Sequence, residues 1–600
     1  MIRPSRDRSC NYASHRGTGR GRRIERRVKE DAPARKTVAR LWLDAAAART
    51  TEVPYLAERA NAWEPVRWPE AERAVDELAH GLLALGVRKG DAFAVLGSTS
   101  VEWAQFDFAL ALIGAIGVGV YMNNSPKDAQ YVVEHSEAVG ALCEDEEQAA
   151  KIASLGLAHT LMFSDLEDVR ARGREHAQAH PDAVREAARA VDEEDVFTYI
   201  YTSGTTGPPK GCVITHRNYF AMADLVRELD DFVFAGDTML MYLPLAHNFG
   251  RLMHLLGPHQ GFTLAFLRDP MRAADALREV RPTVLPSVPR VYEKVHAAVT
   301  AKFDAETGVK RSLIQWALRV GYDVSERVQR GEPIPRSLAL RHRVASKLVF
   351  AKVHERLGGR IRLCISGAAP LAPDVIRFFH ALGVLILEGY GLTECTTAAT
   401  VNRPTRFRFG TVGPALPDAE LRLADDGELL IRSPTVFRGY LKDDAATREV
   451  LGDDRWLRSG DIATIDDDGF VTITDRKKDI LVTAGGKNVA PQNLENDLKT
   501  FREISQALVV GDKRPFVAAL VTLDDEATTG MSDSEREVRV QEIVDSVNRE
   551  RSRFEQIKKF VILPRDFSAE EGEITPTLKL KRRVCLDHFS GAVDSLYERT

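Results

Sequence analysis

Between Tyr201 and Gly211 the chain reads Tyr-Thr-Ser-Gly-Thr-Thr-Gly-Pro-Pro-Lys-Gly, a short loop with four hydroxyl residues, two glycines at 204 and 207, and Lys210. Glycine lets backbone N–H groups come close to a phosphate, hydroxyls donate to its oxygens, and the lysine adds positive charge. The spacing is not that of a P-loop NTPase, which needs glycine where Pro209 stands and Ser or Thr where Gly211 stands. Two further glycine-bearing loops, Ser366–Pro370 and Glu388–Glu394, each follow an expected strand, where open α/β folds bind ligands. Other segments say less alone. Ala484-Gly-Gly486 is a turn, and the basic run Lys579-Leu-Lys-Arg-Arg583 is a solvated edge.

The elements around these loops alternate between helices and short β-branched runs, the pattern of an α/β fold. Ala71–Leu85 has apolar residues at helical spacing and Gly86 ends it; Ala92–Gly97 is a buried strand and Val101–Ile113 a second apolar helix. The polar, Ala/Arg/Glu-rich stretch 165–195 is expected to be helical and exposed. Strands are expected at Val196–Ser203, Thr283–Ser287, Arg360–Gly367 and Val384–Gly391. After residue 405 the pattern turns to hairpins, at Asp426-Gly427 and Asp468-Gly469. Beyond Arg476 a separate small α+β unit is expected, with a boundary near 475–478.

Six hundred residues exceed what one core supports, so two or more domains are expected. A formal net charge of −5 gives no argument for nucleic acid. The six cysteines (10, 143, 212, 364, 395 and 585) form no CxxC pair, which suits reduced thiols in a cytoplasmic protein. Residues 1–36 hold 12 Lys or Arg against 4 Asp or Glu without an apolar core, so they read as a basic, disordered arm and not as a secretory signal. The longest apolar run, Phe108–Met122, is too short to span a bilayer and reads as a helix followed by a strand.

The loop 201–211 resembles the signature loop of the adenylate-forming superfamily, which includes acyl-CoA synthetases, luciferases and peptide-synthetase adenylation domains. The resemblance runs over roughly residues 40 to 590, with several motifs in the family's order. It implies a large N-terminal α/β domain with subdomains (37–475), a small mobile α+β C-terminal domain (476–600), and ATP, Mg²⁺ and CoA as cofactor, metal and co-substrate. By the same resemblance Thr202, Ser203, Gly204, Thr205, Thr206, Gly207 and Lys210 hold phosphates, with Thr205 and Lys210 also catalytic. Gly367, Ala368 and Ala369 with Gly389, Tyr390 and Gly391 frame the adenine, and Tyr390 lies against its face. Thr393 meets the α-phosphate and Glu394 holds Mg²⁺. Asp461 accepts from the ribose hydroxyls, with Arg476 as an added donor.

Lys579 aligns with the superfamily's catalytic lysine, and Lys581 is its rival. Thr577-Leu578 precede it where Ser-Gly is common, as in the long-chain branch. A cation in that position meets charge that develops as a carboxylate attacks the α-phosphorus, a kind of contribution worth ~10²–10³ in rate. Lys478 matches the pivot of a hinge, and Gly485 and Gly486 match the loop beside the CoA tunnel. Leu243–Phe249 and Val288–Lys294 resemble long-chain fatty acyl-CoA synthetases, with His247 near the acyl carboxylate. The implied activity is a long-chain fatty acid–CoA ligase acting through an acyl-adenylate, on fatty acid, ATP and CoA, without a transmembrane span and with peripheral membrane contact left open. Fatty acyl-AMP ligases, which load a carrier protein, carry an insertion near the domain boundary that is absent between Gly460 and Pro491. Ligases of medium-chain or aryl acids remain the other alternative.

Overall fold

Local sequence signals explain the first α/β layer. Ser100 caps the helix Val101–Ile113 by accepting the Trp103 N–H (3.3 Å), and Gly114 closes it at φ 71°. The preceding strand Ala92–Gly97 is buried at every residue, as expected of a parallel strand covered on both faces. The apolar run after it divides as its glycines suggest, into the end of that helix and the strand Ile116–Tyr121. The computed structural model describes residues 35–60, 62–202, 208–549, 551–568, 570–575 and 580–598. Apart from Arg35 and Lys36, the expected basic arm lies outside them, as do Ser203, Gly204, Thr205, Thr206, Gly207 and Lys579.

Two mainly parallel sheets form the body. In one, Ala92–Gly97, Ile116–Tyr121, Gly140–Cys143, His159–Met162 and Val196–Thr202 run parallel, and Lys210–Thr215 folds back antiparallel on Val196–Thr202. In the other, Ile386–Tyr390, Leu363–Ser366, Val284–Ser287, Thr238–Met241, Thr263–Phe266 and Tyr55–Arg59 are parallel neighbours in that order. Both hairpins foreseen after residue 405 fall in a four-stranded antiparallel sheet, where Gly427 and Gly469 take φ 83° and 81°. Its last strand is Val471–Arg476. Beyond it, Leu481 and Val489 join a separate core with the sheet Ile504–Val510, Val517–Leu523 and Ile557–Ile562. The chain is thus a large N-terminal α/β domain with a smaller C-terminal one.

The polar stretch after residue 165 is helical but less exposed than its composition suggests. Helix Leu166–Ala179 packs on helix Trp68–Ala84 with backbones nearly touching, and a Cβ on Gly173 would lie 1.9 Å from the Glu77 carbonyl oxygen. Glycines at 81 and 173 permit that approach, while Arg170 (2.8 Å) and Arg174 (3.2 Å) both pair with Glu77. Among the described residues no helix is long and apolar enough to cross a membrane. The five described cysteines are buried and free.

Candidate active site

The loops after the parallel strands open on a cavity of about 1950 Å³ that is also lined by the small domain, through residues such as Gln492, Glu495 and Lys581. Of the residues singled out from the sequence, Thr202, Lys210, His247, Gly367, Ala368 and Ala369 line it. So do Gly389, Tyr390, Gly391, Thr393, Glu394, Asp461, Arg476 and Lys478. Gly485 and Gly486 do not; they sit exposed in the turn between Leu481–Val482 and Asn488–Val489.

Backbone shape fixes two of these loops. Ala368 holds φ 72°, a left-handed conformation that a residue with a Cβ adopts only where its surroundings impose it. Gly391 lies against the next loop, where a Cβ would come 2.0 Å from the Thr397 carbonyl oxygen, so no larger residue fits. Asn248 ties that loop to its helix: its amide donates to the Thr393 carbonyl (3.3 Å), and its own carbonyl accepts from the Thr397 hydroxyl (3.1 Å).

The polar groups meet in two clusters. In the first, the Tyr440 hydroxyl donates to Glu394 Oε1 at 2.7 Å, and the Lys210 ammonium lies 5.0 Å from the centre of the Tyr440 ring. Strand Gly439–Tyr440 pairs with Lys210–Thr215, which brings the ring between lysine and carboxylate. Nothing near Tyr440 in the sequence marks it out; it reaches Glu394 and Lys210 only through this pairing. In the second cluster, the Tyr390 hydroxyl donates to Asp461 Oδ2 at 2.5 Å, and Arg476 Nε lies 3.5 Å from Asp461 Oδ1. Asp461 and Arg476 face each other across neighbouring strands. Burial, with the Asp461 charge beside it, holds the Tyr390 phenol well above its ordinary range.

Buried carboxyls flank both clusters. Glu388 accepts the Leu371 N–H (3.0 Å), yet burial pushes its carboxyl up to about 7. At the exit to the small domain Asp475 accepts the N–H groups of Arg476 (2.6 Å) and Gln492 (3.1 Å), and burial raises it to about 6. His247 has a local duty, since its Nδ1 accepts the Phe249 N–H (3.2 Å) and caps helix Asn248–Gln260. Farther along that helix Arg251, which the sequence reading passed over, forms an ion pair with Asp107 in the deep interior.

Parallel strands that end on one cleft, faced by a smaller α+β domain, make the architecture of the adenylate-forming enzymes. The chain belongs to the AMP-binding enzyme family: that family's model matches residues 43–441, and its C-terminal domain model matches residues 478–600. The chain is similar to the long-chain-fatty-acid–CoA ligase FadD15 of Mycobacterium bovis, 38% identical over 563 residues, 90% of this chain and 93% of the relative. It is 30% identical to the long-chain-fatty-acid–CoA ligase ACSBG2 of Xenopus laevis over 91% of this chain and 82% of the relative. In fold it resembles the anthranilate CoA ligase AuaEII solved with anthranoyl-AMP, with a TM-score of 0.71 at 19% identity over 94% of this chain and 99% of the other.

Proposed function

We propose that the protein is a long-chain fatty acid–CoA ligase that forms acyl-CoA, AMP and pyrophosphate through an acyl-adenylate. The observation that carries this reading is the meeting of Lys210, Glu394, Tyr390, Asp461 and Arg476 on one cavity from distant parts of the chain. The 38% identity to a ligase of long-chain acids supports the choice of acid and of CoA.

In the first half-reaction a carboxylate oxygen attacks the α-phosphorus and the bond to pyrophosphate breaks. In the second, the CoA sulfur attacks the acyl carbonyl and AMP leaves. We assign the triphosphate to Lys210 and the loop 202–207, the α-phosphate to Thr393, and the charge of the first transition state to Lys579, with Thr205 alongside. The adenine is assigned to the backbone of 367–369 and 389–391 with the Tyr390 ring, and the ribose hydroxyls to Asp461 and Arg476. Glu394 suits one Mg²⁺: its carboxylate opens on the cavity near Lys210. Among the described residues no group of three His, Cys, Asp or Glu could hold an ion, so nucleotide oxygens would complete the shell, as is usual for this hard cation. Bound there, Mg²⁺ would neutralise phosphate charge.

Val226, Leu229, Phe232, Leu252 and Met253 line the same cavity and offer an alkyl chain an apolar wall, where each buried methylene is worth ~0.8 kcal/mol. We assign residues 37–475 to an N-terminal domain and 476–600 to a C-terminal domain that turns about Lys478 between the half-reactions. That turn would carry Gly485 and Gly486 from their exposed position to the CoA path, and His247 would lie near the acyl carboxylate. The buried, free cysteines support a cytoplasmic site of action. Pyrophosphate release measured over saturated acids of rising length, with and without CoA, tests the assignment. Release with long-chain acids and thioester formation only when CoA is present are expected. Absence of release with every acid, or an adenylate that persists with CoA present, would overturn it.

A further inference from the structure

A surface on the large domain, away from the residues assigned to the reaction, carries its own chemistry. Helix Arg336–Ala345 continues through the π turn Ser346–Phe350 into helix Ala351–Arg356. One side of this rod is core: Leu338, Ala345, Val349, Phe350 and Val353 are buried in one hydrophobic core with Tyr292, Phe378 and Phe379. The other side is apolar as well. Leu340, Val344 and Leu348 recur every four residues and are 60%, 41% and 51% exposed. Arg341, Arg343, Lys347 and Lys352 flank that stripe, all exposed, and no described carboxylate pairs with any of them. Between Glu332 and Glu355 the sequence has five Lys or Arg and no Asp or Glu, although acidic residues outnumber basic ones over the whole chain, 87 to 82.

We propose that this face docks on an anionic lipid surface, with Leu340, Val344 and Leu348 entering the headgroup–acyl boundary and the flanking cations against lipid phosphates. An apolar stripe edged by arginine and lysine is the pattern of helices that lie in a membrane interface, and cations there hold to anionic headgroups. Charge argues against the other occupant, a second copy of this chain. A two-fold contact through the stripe would set the two basic edges against each other, and like charges in apposition oppose association. The stripe also lacks the aromatic rings on which single-stranded nucleic acid stacks.

The test uses the full chain and vesicles of phosphatidylcholine with and without phosphatidylglycerol, read by co-sedimentation, so that it does not depend on ligase activity. Binding to the anionic vesicles that weakens with salt is expected. The variant R341A/R343A/K347A should lower partitioning on the order of a hundredfold, at about fivefold per cation. The variant L340S/V344S/L348S should weaken it as well, while both keep the thermal midpoint and the activity on a soluble short acid. Since residues 1–36 are themselves basic, equal binding by both variants and the parent would assign the membrane contact to that segment and overturn the proposal. It would also fall if the parent ignored anionic vesicles, or if the parent were a dimer in sedimentation velocity that the leucine–valine variant made monomeric.

Discussion

Arg251 and Asp107 make the sharpest stability experiment in the molecule. Their side chains are 1% and 2% exposed and joined through Arg251 Nη2 and Asp107 Oδ1. The guanidinium lies 5.2 Å from the centre of the Phe197 ring, in space kept open by Gly117, where a Cβ would come 2.6 Å from Arg251 Nη2. Beside them His254 is 0% exposed, and burial, reinforced by the Arg251 charge, lowers it to about 3, so it is neutral and offers no second cation. Arg251→Met would leave Asp107 with no compensating charge, and Asp107→Leu would strand the guanidinium. Breaking such a pair from one side costs ~3–5 kcal/mol, whereas replacing both partners by apolar groups is often neutral or stabilising. In a domain of about 400 residues, with an unfolding entropy near 0.8 kcal/mol/K, each single change should lower the thermal midpoint by about 5 °C. The double variant should return to within about 1–2 °C of the parent.

The Arg251→Met deficit also has a pH signature. Burial raises the Asp107 carboxyl even with its partner present. Without the partner the folded chain holds a proton that the unfolded chain releases above pH ~4, so the deficit should shrink as the pH falls toward that value. Near-ultraviolet dichroism melts of the parent, both single variants and the double variant provide the readout. A double variant whose loss equals the sum of the two single losses, or a single variant within about 1 °C of the parent, would refute the coupling.

Two further outcomes concern the cavity. Glu388 is raised to about 7 by burial, so the folded state binds a proton that the unfolded state has released between pH ~4.3 and 7, and stability falls as the pH rises through that window. Glu388→Gln keeps an acceptor for Leu371 and should stabilise the protein by roughly 3 kcal/mol at pH 8 and hardly at all at pH 4; equal melting of the two proteins at pH 8 would contradict this. Tyr440→Phe removes the donor to Glu394 and should slow pyrophosphate release about tenfold, the lower end for a hydrogen bond to a charged group. The Mg²⁺ titration should shift with it and the thermal midpoint should not; an unchanged rate would remove Tyr440 from the machinery.

Much of the frame was legible because local signals and tertiary packing agree. Ala92–Gly97 and Val101–Ile113 form the strand and the helix expected, the first buried on both faces and the second bracketed by Ser100 and Gly114. Helix Leu166–Ala179 exposes its outer face as expected, but the close packing of its inner face was not legible, because composition does not register two glycines that bring backbones together. In the cavity, motif residues were readable wherever a loop announces itself by glycine, as at 367 and 389–391. The partner of Glu394 was not, because Tyr440 depends on a two-residue strand pairing with a segment far away in sequence. The Arg251–Asp107 pair was hidden for a similar reason: an arginine within a Leu-containing helix gives no hint of the aspartate it meets.

The ladder that sets Asp461 opposite Arg476 extends one residue further. The Lys477 N–H reaches the Gly460 carbonyl at 2.9 Å, and the Lys477 ammonium is gripped by Asp426 at 2.5 Å and Glu428 at 3.0 Å. These contacts tie Arg476 and Lys477 to the large body, so the proposed turn about Lys478 would begin just beyond them and leave both proposed ribose contacts, Asp461 and Arg476, in place. A nucleotide seated there could remain in place while the lobe above it changes over, so an activated acid need not be let go between the two chemical events.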